Sequence, residues 1–226
     1  MTPPKAEIVA NGVGWRVGYR WILKNISLTV GPGEVALLIG GNGSGKTSLL
    51  RVLAGLNRPA QGTVHCRGGV GLVAHHSMLY DALTGRENLA FVTRLGLGYD
   101  PERVDAVLDQ MGLHAAADQR LGTYSRGMTQ RLAIARALLD DPGVLLLDEP
   151  LTGLDEAAVG IVVNVIENRR DHGHALLIAS HQLIDLADRA TAVGFIVAGK
   201  LAAWEPVEGR DASAIISRYR ALVGHG

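Results

Sequence analysis

Residues 40–47 read GGNGSGKT and fit the pattern G-x-x-x-x-G-K-[ST] of a phosphate-binding loop, here called the P-loop. Glycines let the backbone adopt positive φ, so the chain can curl and direct several N–H groups at one anion. In this pattern Lys46 supplies a positive charge for the β- and γ-phosphates, and the Thr47 hydroxyl is placed to ligate Mg²⁺. The residues predicted to contact a nucleotide here are Gly40, Gly41, Asn42, Gly43, Ser44, Gly45, Lys46 and Thr47.

The flanking sequence decides between a nucleotide site and an ordinary glycine-rich loop. Before the P-loop, Val35–Ile39 is wholly apolar, as expected for a strand that is buried on both faces. After it, residues 48–54 have a helical composition, and Gly55 and Pro59 end that segment. The P-loop is therefore predicted to lie at a helix N-terminus, where the helix dipole favours anions. This context favours the nucleotide site.

Composition limits the class of protein. Of the 226 residues, 47% are hydrophobic, and the formal net charge is zero. These values allow one sizeable core and argue against a broad nucleic-acid-binding surface. Cys66 is the only cysteine, so no internal disulfide can form, which fits a reducing cytoplasm. We expect no signal peptide and no transmembrane helix, since no apolar stretch approaches ~20 residues, so any membrane role would come through partners.

The N-terminal third of the chain is rich in predicted strands. Alternating Ile26, Leu28 and Val30 predict a half-buried strand before the P-loop strand. Residues 63–66 and 70–73 predict two further short strands after the P-loop helix. The N-terminal part is therefore expected to combine antiparallel strands with the P-loop strand.

A helical insertion follows. Asp100, Pro101 and Glu102 form a helix start, with an N-cap, proline at the first helical position and an acid in the first turn, and Gly112 ends this helix. We therefore predict an α/β fold with a P-loop NTPase core, a mixed sheet, an N-terminal antiparallel β part and the helical insertion. The whole chain, residues 1–226, is predicted to form one domain. That domain divides into a nucleotide-binding core of residues 1–76 and 143–226 and a helical subdomain of residues 77–142.

Strands and helices alternate in the remaining part of the chain. Residues 144–147 and 175–179 are apolar runs typical of buried strands, and Asp155 is predicted to cap the helix between them. Gly199 lies in a predicted hairpin, and Asp211 is expected to cap a final helix that runs to about residue 223.

The first of these apolar runs ends in Asp148 and Glu149, the pattern of a Walker B element. Asp148, at the carboxyl end of the strand, is placed to hold Mg²⁺ directly or through water, and Glu149 is placed to orient or polarise an attacking water. Two surface charges after a strand are the alternative. The P-loop upstream favours the catalytic interpretation.

Residues 124–131, YSRGMTQR, discriminate among P-loop proteins. This signature stretch resembles the signature L-S-G-G-Q-x-Q-R of ATP-binding cassette (ABC) ATPases, and it precedes a helix and the Walker B element as in that family. Residues 151–155, LTGLD, resemble the family's D-loop, and Ser180–His181 resembles its switch histidine. The ordered set covers nearly the whole chain, so the sequence is identified as a member of the ABC ATPases.

The resemblance implies an ATP hydrolase that works as a pair of subunits. In the family, the signature of one subunit closes over the ATP that the other subunit's P-loop holds, which gives a two-fold arrangement around two ATP molecules. It also implies that His181 contacts the γ-phosphate beside the catalytic Glu149, with ATP and Mg²⁺ as cofactors. The further residues predicted to contact nucleotide are Ser125, Arg126, Gly127 and Asp155.

Three positions depart from the family pattern. Val17 occupies the position from which, in the family, an aromatic residue stacks on adenine. Stacking is therefore assigned to Tyr19, with Trp15 as an alternative. Both rings could instead pack within the hairpin or the core. His75 stands where the Q-loop has glutamine, and a water-mediated contact with Mg²⁺ is expected because imidazole is a poorer ligand than oxygen. Arg126 replaces a signature glycine and is predicted either to reach a phosphate or to be solvated.

His75, together with residues 83–89 (LTGRENL), resembles the haem exporter ATPases of cytochrome c maturation. We therefore expect an ATPase that drives an integral-membrane transporter subunit from the cytoplasmic face of the membrane. This ATPase is expected to pair with a second copy of itself or with a homologous ATPase subunit. It is not expected to bind nucleic acid. The alternatives are another ABC exporter, of a small molecule, drug or lipid, and a soluble ABC ATPase without a transporter. A P-loop kinase or GTPase is disfavoured because no N-K-x-D motif follows.

Overall fold

Strands form most of the first third of the chain, and helices form most of the middle third. The computed structural model describes residues 7–74, 77–96, 98, 100–181, 184–207, 209 and 211–223. Within them, the strands are β1 (Glu7–Val17), β2 (Arg20–Val30), β3 (Val35–Ile39), β4 (Gln61–Arg67), β5 (Val70–Val73), β6 (Val144–Asp148), β7 (Ala175–Ala179), β8 (Ala192–Val197) and β9 (Lys200–Pro206). The α-helices are α1 (Lys46–Leu53), α2 (Gly85–Leu95), α3 (Pro101–Gln110), α4 (Arg126–Leu138), α5 (Glu156–Asp171) and α6 (Ala212–Val223). Short 3₁₀ turns lie at His114–Ala116, Leu121–Thr123 and Ala187–Arg189.

A six-stranded sheet of order β5-β6-β7-β3-β8-β9 carries the P-loop. Neighbouring strands are parallel except β8 and β9, which form the predicted hairpin around Ala198 and Gly199. Because β6, β7 and β3 are adjacent and parallel, the residues that follow their carboxyl ends meet at one edge of the sheet. The predicted mixed sheet is confirmed.

Both faces of β3 are covered by hydrophobic core. Val35, Leu37 and Ile39 pack in the core that includes α4 and α5, whereas Ala36 and Leu38 pack in the core that includes α1 and the N-terminal strands. This two-sided burial explains why β3 is apolar at every position. The P-loop that follows Ile39 therefore starts from a fixed strand end.

The N-terminal sheet is antiparallel, with the order β2-β1-β4, as the sequence predicts. Ile26 and Leu28 of β2 are buried, in agreement with their alternation. β1 is not among the predicted strands, because register shifts between Ala10 and Val13 and between Val13 and Trp15 break its alternation.

The helices of the predicted insertion begin at side-chain caps. Thr84 and Glu87 form a capping box at the start of α2, and Asp100 caps α3 as predicted. Arg86 of α2 pairs with Asp105 of α3, which fixes one helix against the other. Among the described residues, no helix combines the length and the apolar character that a bilayer crossing needs.

Helix α4 joins the helical insertion to the central sheet. Arg136 Nη2 donates to the carbonyl oxygen of Leu72, in β5, at 2.8 Å. Burial lowers the pKa of Arg136, so this contact holds a partly desolvated guanidinium. Since α4 belongs to both parts, the division of the chain at residues 77 and 142 stays a prediction.

The C-terminal helix α6 packs beside the P-loop. Asp211 caps it as predicted, with Oδ1 accepting from the Ala214 N–H at 2.8 Å. The ring of Tyr219 stacks on Phe195 with centroids 6.4 Å apart. Its hydroxyl would lie 3.3 Å from a Cβ atom placed on Gly41, so α6 reaches the back of the loop.

Candidate functional site

The P-loop leaves β3 and wraps the N-terminus of α1. Helix α1 begins at Lys46, and Gly45 before it has φ of 115°, a conformation that L side chains rarely adopt. A Cβ atom on Gly40 would lie 2.5 Å from the carbonyl oxygen of Ile196, so only glycine fits there. The first N–H groups of a helix have no partner within it, so the loop and α1 together direct backbone donors to one place.

Two neighbouring hairpins hold the P-loop from outside. The Gly199 N–H, in the turn between β8 and β9, donates to the Ser44 carbonyl at 2.9 Å. The Gly199 carbonyl in turn accepts from the Lys24 N–H of β2 at 2.8 Å. These bonds fix the curl of the loop through backbone atoms.

Lys46 and Ser44 have the donors that a polyphosphate needs. Lys46 is only 8% exposed, and its Nζ donates to the carbonyl oxygens of Gly40 at 2.7 Å and Gly41 at 3.3 Å. The ammonium has three N–H donors, so it retains capacity for a phosphate. The buried Ser44 hydroxyl has no hydrogen-bond partner within the part of the chain that the structure describes. Both residues therefore fit a bound anion.

Thr47 and Asp148, the pair predicted to hold Mg²⁺, are in contact. The Thr47 hydroxyl donates to Asp148 Oδ2 at 2.7 Å, and Asp148 is 5% exposed. Mg²⁺ prefers oxygen ligands, which both side chains supply. This donor set fits a hard divalent cation, and the metal assignment stays a prediction.

Glu149 and His181 meet where β6 and β7 end. His181 Nδ1 lies 2.8 Å from Glu149 Oε1, and the His181 backbone N–H donates to Glu149 Oε2 at 3.3 Å. Only 19% of the Glu149 side chain is exposed, against 65% for His181. The arrangement joins a carboxylate that can accept a proton from water to an imidazole that extends into solvent.

The Glu149 backbone adopts an uncommon conformation that its neighbours hold in place. Its φ is 51°, which costs free energy for a residue with a side chain. The Glu149 N–H donates to the Ala179 carbonyl at 2.8 Å. Gln130 Nε2 contacts the carbonyl oxygens of Glu149 at 3.5 Å and Pro150 at 3.2 Å. Gln130 is not among the predicted site residues, although the Gln-Arg pair that ends the signature stretch could have indicated it.

The signature stretch places the N-terminus of α4 against the D-loop stretch. Ser125 caps α4, with its hydroxyl accepting from the Met128 N–H at 3.2 Å. The Arg126 side chain crosses Gly153 so closely that a Cβ atom there would lie 2.9 Å from Arg126 Nε. A Cβ atom on Gly127 would lie 3.5 Å from the Gly153 carbonyl oxygen. A substitution in the signature stretch or in the D-loop stretch would therefore displace atoms of the other stretch.

An open cavity of about 900 Å³ unites the P-loop, the Walker B acids, His181 and part of the signature stretch. Both positively and negatively charged side chains line this cavity. A nucleotide with a metal ion requires both, since its phosphates bind cations and the metal ion binds carboxylates. The residues that line it are Arg20, Ile22, Asn42, Gly43, Ser44, Gly45, Lys46, Thr47, Ser48, Ser77, Tyr124, Arg126, Thr129, Gln130, Asp148, Glu149, Thr152 and His181.

Comparison with known proteins settles the family. A family model described as "ABC transporter" matches residues 23–152. YdbJ of Bacillus subtilis (strain 168), an uncharacterized ABC transporter ATP-binding protein, is 36% identical over 220 residues, which cover 88% of this chain and 69% of that protein. The chain belongs to the ABC transporter family of ATP-binding proteins.

Other members of the ABC family are similar over most of the chain. The zinc import ATP-binding protein ZnuC of Roseobacter denitrificans is 37% identical and covers 96% of this chain and 84% of that protein. The cytochrome c biogenesis ATP-binding export protein CcmA of Sphingopyxis alaskensis is 35% identical, with coverages of 80% and 93%. A solved structure of an ATP-binding subunit of an ABC transporter superposes with a TM-score of 0.86 at 21% identity, covering 96% of this chain and 99% of that one. The ABC ATPase fold and the enzyme class, an ABC-type ATPase, are thereby confirmed.

The cavity of this ABC ATPase brings together only part of the predicted set. Gly40 and Gly41 lie behind it, as acceptors for Lys46. Ser125 and Gly127 are not among the residues that line it. Their assignment to a partner's nucleotide stays a prediction.

Two further assignments, Asp155 and Tyr19, also lie away from this cavity. Asp155 caps α5, with Oδ1 accepting from the Ala158 N–H at 2.8 Å. Tyr19 is 98% exposed in the turn between β1 and β2 and does not line the cavity. His75 lies outside the described residues. The structure adds Arg20, from the same hairpin as Tyr19, which the sequence patterns do not single out.

Proposed function

We propose that this chain is the ATP-binding and hydrolysing subunit of a membrane ABC transporter, and that two such subunits close around two ATP molecules to drive an integral-membrane partner from the cytoplasmic face of the membrane. One observation carries the proposal: a single cavity is lined by Lys46, by the Thr47–Asp148 pair and by the Glu149–His181 pair. These are a phosphate cation, a set of oxygen ligands and a proton acceptor, which hydrolysis of a phosphoanhydride needs.

Binding would rest on groups that are already positioned. The curled P-loop and the first turn of α1 offer backbone N–H groups, and Lys46 and Ser44 add side-chain donors. Mg²⁺, held by Thr47 and Asp148, would neutralise charge on the phosphates. The buried position of Lys46 strengthens its attraction to an anion, because nearby water is limited.

Hydrolysis would use the Glu149–His181 pair. Glu149 orients a water molecule and accepts its proton as the water oxygen attacks the terminal phosphorus, while the bond from that phosphorus to the β–γ bridging oxygen breaks and ADP leaves. The contact through Nδ1 leaves Nε2 of His181 as the ring nitrogen that can face the phosphate, to which it donates when the imidazole is protonated. The Glu149 N–H donates to the Ala179 carbonyl, and the Glu149 carbonyl accepts from Gln130 Nε2, so these two hydrogen bonds hold the carboxylate in position while this happens.

Dimer closure would bring the signature stretch to the other subunit's nucleotide. Ser125, Arg126 and Gly127 lie at the N-terminus of α4, which favours anions, and Ser125 and Gly127 do not line this chain's own cavity. After the terminal phosphate leaves, these contacts are lost and the subunits separate. Asp155, the last residue of the D-loop stretch, would contribute at the same interface.

Haem export in cytochrome c maturation is the cargo function that we infer. It is supported by the similarity to CcmA and by the His75 and LTGRENL features of the sequence. Similarity to the zinc import protein ZnuC supports a second candidate, a transporter of another cargo. Complementation of a strain that lacks its own cytochrome c maturation ATPase tests the first candidate, since failure to restore haem attachment by a well-expressed chain would contradict it.

The hydrolysis proposal is tested with Glu149→Gln, which keeps the shape of the side chain and removes its charge. We expect steady-state hydrolysis of Mg-ATP to fall at least ~100-fold, because a general base contributes about that much, while ATP binding is retained. Glu156→Gln, an exposed acid in the first turn of α5, is the matched control and should hydrolyse ATP normally. Normal turnover by Glu149→Gln would contradict the proposal.

A further inference from the structure

A second pocket, of about 400 Å³, opens beside the P-loop. Arg20, Ile22 and Gly43 line both this pocket and the large cavity, so the two are adjacent. Gly43 belongs to the P-loop, so a nucleotide whose phosphates lie in that loop has room for its sugar and base in this direction. The remaining wall includes Trp21 and Lys24 of β2.

The hairpin of β1 and β2, which forms this wall, has an aliphatic side chain at Val17 and a planar guanidinium at Arg20. Val17 pairs directly with Arg20 across β1 and β2, so the two side chains stand on the same face of the sheet. Val17 is small, aliphatic and 59% exposed, and it offers little surface to a base. Arg20 is therefore a planar group on the face where Val17 stands.

The nearby aromatic rings are less suitable. Tyr19 is 98% exposed and, among the described residues, is not one that lines either pocket. The ring of Trp21 is already partly covered, because the Arg16 guanidinium lies 5.6 Å from its centroid and Gly14 packs against its edge. Arg20, in contrast, is exposed and has no ion-pair or hydrogen-bond partner within the described part of the chain.

We propose that Arg20 is the stacking platform for the nucleobase in this subunit, in place of an aromatic residue. The guanidinium is planar and stacks on flat rings, and nucleobases stack on arginine planes in other binding sites. The inference rests on the proposed function, because it requires a nucleoside triphosphate on the P-loop.

This platform has a consequence for the substrate class. Stacking acts on the face of a base, and every base has such a face, so it discriminates poorly among bases. The substrate class is therefore a nucleoside triphosphate, with little preference between adenine and guanine. ATP and GTP should bind with dissociation constants within about threefold of each other, and the base should add about tenfold to the affinity of the bare triphosphate chain.

The test is isothermal titration of the purified chain with Mg-ATP, Mg-GTP and magnesium tripolyphosphate. Arg20→Ala should weaken ATP and GTP by about tenfold and leave tripolyphosphate unchanged. Arg20→Lys keeps the charge without the plane and should behave as Arg20→Ala. Val17→Tyr, added to the Arg20→Ala background, should restore ATP binding, since it places a ring on the same face. All these positions are exposed, so the fold should be retained.

Several outcomes would overturn the assignment. If Arg20→Ala weakens tripolyphosphate as much as ATP, or if Arg20→Lys binds ATP normally, Arg20 is a phosphate cation. If Tyr19→Ala weakens ATP and Arg20→Ala does not, Tyr19 is the platform. If the wild-type chain binds ATP no better than tripolyphosphate, the base site fails while the P-loop and the proposed function stand. If it binds neither ligand, the proposed function fails as well.

Discussion

Lys46 is a buried cation, and its ammonium contacts carbonyl oxygens of the P-loop to which it belongs. The contacts to Gly40 and Gly41 satisfy two of its donors and hold the side chain across the loop. A long side chain that is already ordered loses little entropy when a ligand binds. Preorganisation of this kind is why one lysine has a large effect on affinity.

Lys46→Ala should therefore remove tight ATP binding and ATP turnover. The loss of a charge-assisted contact to the phosphates should raise the dissociation constant for Mg-ATP by about 10- to 100-fold. Equilibrium titration measures this change, with Lys200→Ala as the matched control because Lys200 is exposed on β9. Wild-type affinity in Lys46→Ala, with a normal thermal unfolding curve, would rule out the P-loop assignment.

Other residues of the site could not be predicted because their roles depend on contacts between distant parts of the chain. The spacing within residues 40–47 predicts the P-loop, since all its chemistry lies in one segment. Gln130, in contrast, acts on the backbone of Glu149, and no local pattern encodes that contact. Arg20 faces the cavity because of strand pairing with Val17, which a single sequence does not reveal.

Secondary-structure elements were predictable where one local rule was decisive. β3 reads as a buried strand because both of its faces meet hydrophobic core, and α3 begins at an Asp-Pro-Glu start. The sequence does not predict β1, because register shifts disrupt the period-2 pattern that identifies strands. His75, between β5 and α2 in the sequence, lies outside the described residues, and its role stays a prediction.

Helix α2 owes part of its stability to a reciprocal cap. The Thr84 hydroxyl accepts from the Glu87 N–H at 3.1 Å, and Glu87 Oε2 accepts from the Thr84 N–H at 2.8 Å. Thr84→Ala should lower the free energy of unfolding by about 1 kcal/mol in a urea titration. Ser217 is exposed and lies away from both ends of α6, so Ser217→Ala should change the free energy of unfolding by less than ~0.5 kcal/mol. Equal effects of the two substitutions would contradict a capping role.

His174 precedes β7, among the loops that lead into the central sheet. Burial lowers the pKa of His174, and the positive charge of Arg169 lowers it further, while Asp141 opposes this. The unfolded chain protonates this histidine near pH 6.5 and the folded chain only at lower pH, so protons favour unfolding. The stabilising contribution is therefore fully present above about pH 6.5 and is lost as pH falls through the lower folded pKa.

The free energy of unfolding should consequently decrease between pH 7 and pH 5, and His174→Gln should flatten that decrease. Urea titrations at several pH values measure the slope. His65→Gln is the control, because His65 is exposed on β4 and its removal should leave the slope unchanged. The same slope in His174→Gln and in the wild-type chain would show that another group is responsible.

At the scale of the whole molecule, the fold separates two helix N-termini that are predicted to contact nucleotide. The N-terminus of α1 lies inside the P-loop, whereas that of α4 lies in the helical part beside the D-loop stretch. Helix α4 continues from there to β5 through the bond from Arg136 to Leu72. The signature stretch is therefore joined to β5 through α4. The sequence order predicts these parts, but the surface that meets a membrane partner depends on the partner and cannot be derived from this chain alone.

The two-subunit mechanism gives the last prediction. Glu149→Gln should bind ATP without hydrolysing it, so the chain should elute as a larger species in size-exclusion chromatography with Mg-ATP than without it. Adding Ser125→Arg should abolish that shift, because a bulky cation at the N-terminus of α4 blocks closure over the partner's nucleotide. Since Ser125 does not line the chain's own cavity, ATP affinity of the isolated double variant should stay within about threefold of that of Glu149→Gln. If ATP binding is lost instead, Ser125 serves its own subunit's nucleotide, and if the larger species persists, the signature stretch does not lie at the interface.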